Sequence, residues 1–248
     1  MHVNQYLVSL NAQNIQYKKR KMVKKQKSQI KAVIFDTGGV LELPKFPINL
    51  ILNSHLAEVP KKYGHRNKSV HEYIANKLKI LLDQWFDSID TTYAASITGK
   101  ISESKTLDII SKNVKVSKTK LKKIILKAYK THFKPNKELY NFAFKLKKQG
   151  YKIAILSDQW YLSKQALIPK KLYKKFDKII VSCDVSIRKP NPEIYKLTLK
   201  KLGVNASESV FIDNQIWNIK PAKQLGMQTI LYKDNRQVFR QLSKIGVK

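Results

Sequence analysis

Cysteine, acidic residues and long apolar runs are all scarce in this chain. A single cysteine, Cys183, in 248 residues excludes an intrachain disulfide framework, and it reads as a small, semi-buried side chain. The five histidines, His2, His55, His65, His71 and His132, are scattered without the spacing of a zinc site. No apolar run approaches the roughly 20 residues of a membrane helix, and the N-terminus lacks the compact apolar stretch of a secretory signal, so no membrane insertion and a cytoplasmic location are expected. Asp and Glu number only 17 against 49 Lys and Arg, a net charge of +32. Such an excess ordinarily points to nucleic acid, but its distribution points elsewhere. Residues 1–31 hold eight of the basic residues and no acid, and the others are spread along the rest of the chain. Only five of the 49 are arginine, whose planar fork suits base-edge and stacked contacts. A nucleic-acid partner is therefore not favoured, whereas a general attraction for anionic ligands is expected.

Residues 1–30 show no sustained periodicity and read as a basic flexible arm, with Met22 a candidate start site. From residue 31 onward, five short β-branched runs stand out: "AVIF" (32–35), "KIAIL" (152–156), "KIIV" (178–181), "SVFI" (209–212) and "TILY" (229–232). Nearly continuous apolar strands suit a parallel sheet covered on both faces. Amphipathic helices lie between them. In "NKELYNFAFKLKKQG", Leu139, Phe142, Ala143 and Leu146 share one face, with Gly150 as the stop. In "NPEIYKLTLKKLG", Asn191 can cap, Pro192 suits the first turn and Gly203 ends the helix. "NIKPAKQLG" predicts a shorter third helix. The alternation implies a doubly wound, Rossmann-like α/β fold.

More than a hundred residues separate the first two strands, too many for one crossover. The segment reads as an inserted helical domain. Ile74, Leu78, Leu81, Leu82 and Trp85 form one expected stripe, and Leu121, Ile124, Ile125 and Ala128 a second behind a Ser117 cap. The resulting division is a core of residues 31–41 plus 135–248 and a cap of residues 42–134, placed to cover a site at the end of the sheet.

Three strands end on polar side chains. "AVIF" runs into Asp36, "IAIL" into Ser157 and Asp158, and "VFI" into Asp213 and Asn214, while the loop after "KIIVS" delivers Lys189. Ligands of open parallel sheets bind at the carboxyl ends of the strands, so these groups converge on one point.

The motifs "VIFDTGG", "ILSD", "RKPNPEIY" and "VFIDNQIWNIKPAKQLGM", in that order over residues 31 to about 233, resemble those of the haloacid dehalogenase superfamily hydrolases with a helical cap. "ITGKIS" (97–102) is similar to a recurrent piece of that cap. The resemblance implies that Asp36 attacks phosphorus to form an aspartyl-phosphate. Ser157 and Asp158 would face the phosphate, Ser157 holding an oxygen, and Lys189 would neutralise developing charge. Mg²⁺ would be held by Asp36, the carbonyl of Gly38, Asp213 and Asn214. The chain departs from the family pattern twice. Gly38 stands where phosphatases place a second aspartate as general acid and base, for which Asp158 and Glu42 are the substitutes; Asn214 stands where a metal-binding aspartate is common. The implied activity is hydrolysis of a small phosphorylated metabolite. Two alternatives remain: a metal-independent 2-haloacid dehalogenase, which Gly38 and Trp217 fit, and a weak or inactive member that binds RNA or another polyanion. Trp85, Tyr93 and His71 are candidate specificity residues in the cap, with packing inside the bundle as their competing role.

Overall fold

A computed structural model describes residues 29–45 and 69–247. The arm and the candidate start at Met22 lie outside the described residues, apart from Gln29 and Ile30, of which Ile30 is buried against the sheet. The five expected strands form one parallel sheet: β1 (Ala32–Phe35), β4 (Lys152–Ser157), β5 (Lys178–Val181), β6 (Ser209–Asp213) and β7 (Gln228–Leu231), in the order β5-β4-β1-β6-β7. β1 lies at the centre, paired on one side with β4 and on the other with β6. Chain connections depart to both sides of it, which makes its carboxyl end the switch point of the sheet.

Side chains alternate across β1. Val33 and Phe35 face a layer holding α5 (Lys137–Lys148) and α10 (Asn235–Lys244), whereas Ala32 and Ile34 face α8 (Pro192–Leu202) and α9 (Ile216–Gln224). Leu139, Ala143 and Leu146 of α5 are fully buried on the first side, as the spacing predicts; Phe142 is only half-buried and meets Phe239 of α10. On the second side, the wholly buried Tyr195 meets Phe211 edge-on at 5.6 Å. Each such ring removes surface worth roughly 1.5–3 kcal/mol from water. Asn191 and Asn136 cap α8 and α5 with their side chains.

Between β1 and α5 the described residues form four helices: α1 (Val70–Leu78), α2 (Leu82–Ile97), α3 (Glu103–Asn113) and α4 (Lys118–His132). Residues 46–68 lie outside the described ones. A short antiparallel ribbon, β2 (Glu42–Pro44) with β3 (Phe133–Pro135), stands where the chain leaves the sheet and where it returns. The first expected stripe is broken. Lys79 adopts a left-handed conformation (φ 60°) that ends α1, so Leu81 falls in the turn and is 71% exposed, while Ile74 and Trp85 are buried on separate helices. The second stripe holds, with Leu121, Ile125 and Ala128 buried, Ile124 packed beside them and Ser117 capping α4. Among the described residues no helix is long and apolar enough to cross a membrane.

Candidate active site

β1 delivers Asp36 as one further rung of its ladder, because Asp36 N–H donates to the Ile212 carbonyl at 2.9 Å. The chain then turns tightly: the Thr37 carbonyl accepts from Glu42 N–H at 2.8 Å, and the Glu42 carbonyl accepts from Gly39 N–H at 2.8 Å. Gly39 permits this path. Its φ is +82°, and a β-carbon there would lie 2.4 Å from Asn214 Nδ2. Asn136 anchors the loop from outside, its Nδ2 donating to the Val40 carbonyl at 3.0 Å.

Three buried charges meet at the strand ends. Lys189 Nζ donates to Asp36 Oδ1 at 2.8 Å and to Asp213 Oδ2 at 2.7 Å, with the Leu156 carbonyl at 3.4 Å. Lys189 is 2% exposed and Asp36 7% exposed. A lone buried ammonium would tend to lose its proton, but Asp36 and Asp213 outweigh desolvation and hold Lys189 well above the ordinary lysine range. Burial pushes the Asp36 carboxyl up, to about 7, with Asp213 adding repulsion and Lys189 pulling the other way.

The remaining sequence-predicted residues fall around this cluster. Ser157 ends β4, fully buried, and its Oγ accepts from Gln159 Nε2 at 3.0 Å, which leaves the hydroxyl proton free to donate. Asp158 accepts from Lys189 N–H at 3.1 Å and faces Arg188, whose Nε is 3.7 Å from Oδ2. Burial raises its pKa, against the pull of Lys189. Asp213, expected as a metal ligand, is engaged through both carboxylate oxygens. Oδ2 is shared by Lys189 and Asn218 Nδ2, and Oδ1 accepts from Gln215 N–H at 2.7 Å, so this carboxylate orients the lysine. Asn214 Oδ1 and Thr37 Oγ1 are buried with no hydrogen-bond partner among the described residues.

These orphaned oxygens test the donor set for a metal. Asp36 has one carboxylate oxygen outside its ion pair, Gly38 contributes a carbonyl and Asn214 an unsatisfied amide oxygen; an all-oxygen set of this kind fits a hard cation such as Mg²⁺. No cluster of three or more His, Cys, Asp or Glu placed to hold a metal occurs among the described residues, so softer-metal chemistry has no ligand set there.

Glu42 and Asp158 separate clearly. Glu42 turns away from the nucleophile and accepts from the Tyr140 hydroxyl at 3.0 Å, whereas Asp158 lies inside the charged cluster. Trp85 and His71 pack together in the cap, the indole Nε1 donating to His71 Nδ1 at 2.9 Å. Tyr93 instead meets Trp160 edge-on at 6.2 Å, and burial raises its pKa. Arg188 and Gln159 escaped the sequence reading. Their only signal was adjacency, Arg188 to Lys189 and Gln159 to Asp158. "ITGKIS" forms the turn between α2 and α3, where a β-carbon on Gly99 would lie 2.1 Å from the Cys183 carbonyl. Cys183 is buried.

A family model of hydrolases, haloacid dehalogenase-like hydrolase, matches residues 30–226. The chain is 29% identical over 231 residues to bifunctional epoxide hydrolase 2 of Sus scrofa, a match covering 87% of the chain and 39% of that protein. It thus spans about two fifths of the length of the epoxide hydrolases it matches. It is also 36% identical over 94 residues to (S)-2-haloacid dehalogenase 4A of Burkholderia cepacia, covering 38% of this chain and 40% of that one. Among solved structures, a HAD family enzyme of Bacteroides thetaiotaomicron in complex with magnesium and inorganic phosphate superposes with a TM-score of 0.65 at 20% identity, covering 85% of this chain and all of that one.

Proposed function

The chain belongs to the haloacid dehalogenase-like hydrolases, and from that premise we propose that it is a Mg²⁺-dependent phosphatase of small phosphorylated metabolites with Asp36 as covalent nucleophile. One observation carries the reading. Asp36 is paired with Lys189 through Oδ1 alone, which leaves its second oxygen at strand ends that also present two unsatisfied oxygens, on Thr37 and Asn214.

Lys189 holds Asp36 in one orientation and balances its charge, which readies the carboxylate for attack. The bond from the Asp36 carboxylate to phosphorus forms as the bond to the leaving oxygen breaks, and water later cleaves the resulting acyl phosphate. Ser157 O–H donates to a phosphoryl oxygen, because its own acceptor site is already filled by Gln159. Asp213 keeps Lys189 in place through Oδ2, itself braced by Asn218. Asp158, which accepts from Lys189 N–H and whose pKa burial raises, protonates the leaving oxygen in the absence of a carboxylate at position 38. When bound by Asp36, Gly38 and Asn214, Mg²⁺ supplies positive charge toward the phosphate oxygens. The Bacteroides thetaiotaomicron structure with magnesium and phosphate supports this assignment.

The test is phosphate release from acetyl phosphate, p-nitrophenyl phosphate, sugar phosphates and nucleotides, with and without Mg²⁺. We expect metal-dependent release that falls by about 10³-fold or more in Asp36→Asn. A second reading, displacement of halide from a 2-haloacid by Asp36, is favoured by Gly38 and by the matching dehalogenase. Chloride release from 2-chloropropionate without metal, with no phosphate release, would replace the first reading by the second. Silence in both assays from folded protein, together with salt-sensitive RNA binding that survives Asp36→Asn, would instead support the polyanion-binding alternative.

A further inference from the structure

A second cavity, of about 450 Å³, opens between α4, β3, α5, α6 (Tyr161–Leu167) and the 3₁₀ turn Lys170–Lys174. Neither Asp36, Ser157, Lys189 nor Asn214 lines it, so it is separate from the strand-end cluster. Its size falls within the range of small-molecule sites. Three features define what would fit. The walls are aromatic: Tyr129 and Phe133 stack at 6.4 Å between centroids, and Tyr140 and Phe144 lie 6.0 Å apart. Four exposed lysines, Lys130, Lys137, Lys171 and Lys175, border it, with Lys175 Nζ 4.8 Å above the Phe144 ring. The one acid lining it, Glu42, is only 7% exposed, and while Oε1 accepts from Tyr140, Oε2 has no partner among the described residues.

Glu42 is the acceptor that the cavity lining offers, and its Oε2 can take a hydrogen bond from a ligand there. The lysine border disfavours a cation and favours an anion at the mouth. We propose that this cavity is a ligand site for an aromatic monoanion that carries a hydrogen-bond donor at its inner end. The ring stacks between Phe133 and Phe144, the anionic group meets Lys171 and Lys175, and the donor reaches Glu42. The backbone of Glu42 closes the loop that carries Asp36, which places the ligand one residue layer behind the nucleophile. The proposal does not depend on which reaction Asp36 performs.

The probe is 6-hydroxy-2-naphthoate, titrated calorimetrically into the full chain. Saturable 1:1 binding is expected, weaker for 2-naphthoate, which lacks the donor, and for 2-naphthol, which lacks the charge. Reversing the border with Lys171→Glu and Lys175→Glu should weaken binding roughly tenfold or more, and Ala166→Trp, which fills the cavity, should abolish it. Reversal of Lys200 and Lys201, exposed on α8 and outside the cavity, should leave binding unchanged, as should Asp36→Asn. The proposal is overturned if no saturable binding occurs, if both charge reversals weaken it equally, or if inorganic phosphate competes with the probe. Because the lysine variants alter only exposed side chains, a folding defect in Ala166→Trp would not leave the question open.

Discussion

A β-carbon built on Gly38 meets no atom within 4 Å, whereas one on Gly39 strikes Asn214. The two neighbours therefore have different reasons for being glycine. Gly39 serves the backbone path, while Gly38 leaves room where a carboxylate could stand. We expect Gly38→Asp to fold and to raise kcat for phosphate esters with poor leaving groups by about 10² to 10⁴, with little gain for acetyl phosphate; a leaving-group series for both proteins measures this. Glu42 makes the second residue-level prediction. Burial raises its carboxyl from 4.5 to about 7, against the pull of the Tyr140 hydrogen bond and Lys171. The folded state therefore binds a proton that the unfolded chain releases, so stability falls as pH rises from about 4.5 toward 7 and is level above that. Glu42→Gln should flatten this slope and stabilise the protein at pH 8 by on the order of 1 kcal/mol, discounted for screening through the open cavity. Urea unfolding at pH 5 and pH 8 reads the difference.

At the scale of elements, the turn between α2 and α3 is seated on the core by a missing side chain. Gly99 has φ +64°, and any β-carbon there would overlap the Cys183 carbonyl, in the segment that leads to Arg188 and Lys189. Gly99→Ala should cost roughly 1–3 kcal/mol and raise KM more than it lowers kcat, because the turn and the segment it is seated on must move apart. Thermal unfolding alongside steady-state kinetics checks both. The helices themselves were readable where a terminal signal framed an apolar stripe, as with the stop at Gly150 and the cap and stop at Asn191 and Gly203. They were not readable across residues 74–85, where Ile74, Leu78, Leu81, Leu82 and Trp85 kept a helical spacing through a turn. Lys79 in a left-handed conformation breaks that helix, and no side-chain pattern announces such a residue, because lysine adopts it only when the surrounding chain compensates.

For the whole molecule, the net charge of +32 is the dominant long-range property. A field of one sign draws anionic substrates toward the site and is screened within about 10 Å at 0.1 M salt. KM for a phosphorylated substrate should rise several-fold between low salt and about 0.5 M while kcat changes little, as steady-state kinetics at graded ionic strength will show.

The sequence alone determined the sheet and the identity of the groups at its edge. Continuous β-branched runs have few ways to be buried except as parallel strands covered on both faces, and the residues that follow them must then emerge at one end. Asp36, Ser157, Asp158, Lys189, Asp213 and Asn214 were legible on that ground. Only the tertiary structure decided which atoms of those groups are already engaged. It committed both oxygens of Asp213 to Lys189, Asn218 and Gln215, left Asn214 Oδ1 and Thr37 Oγ1 unsatisfied, turned Glu42 into a separate cavity and packed Tyr93 against Trp160. Hydrogen bonds and ion pairs depend on ångström-scale approach between segments far apart in the chain, and periodicity carries direction along a segment but not distance between segments.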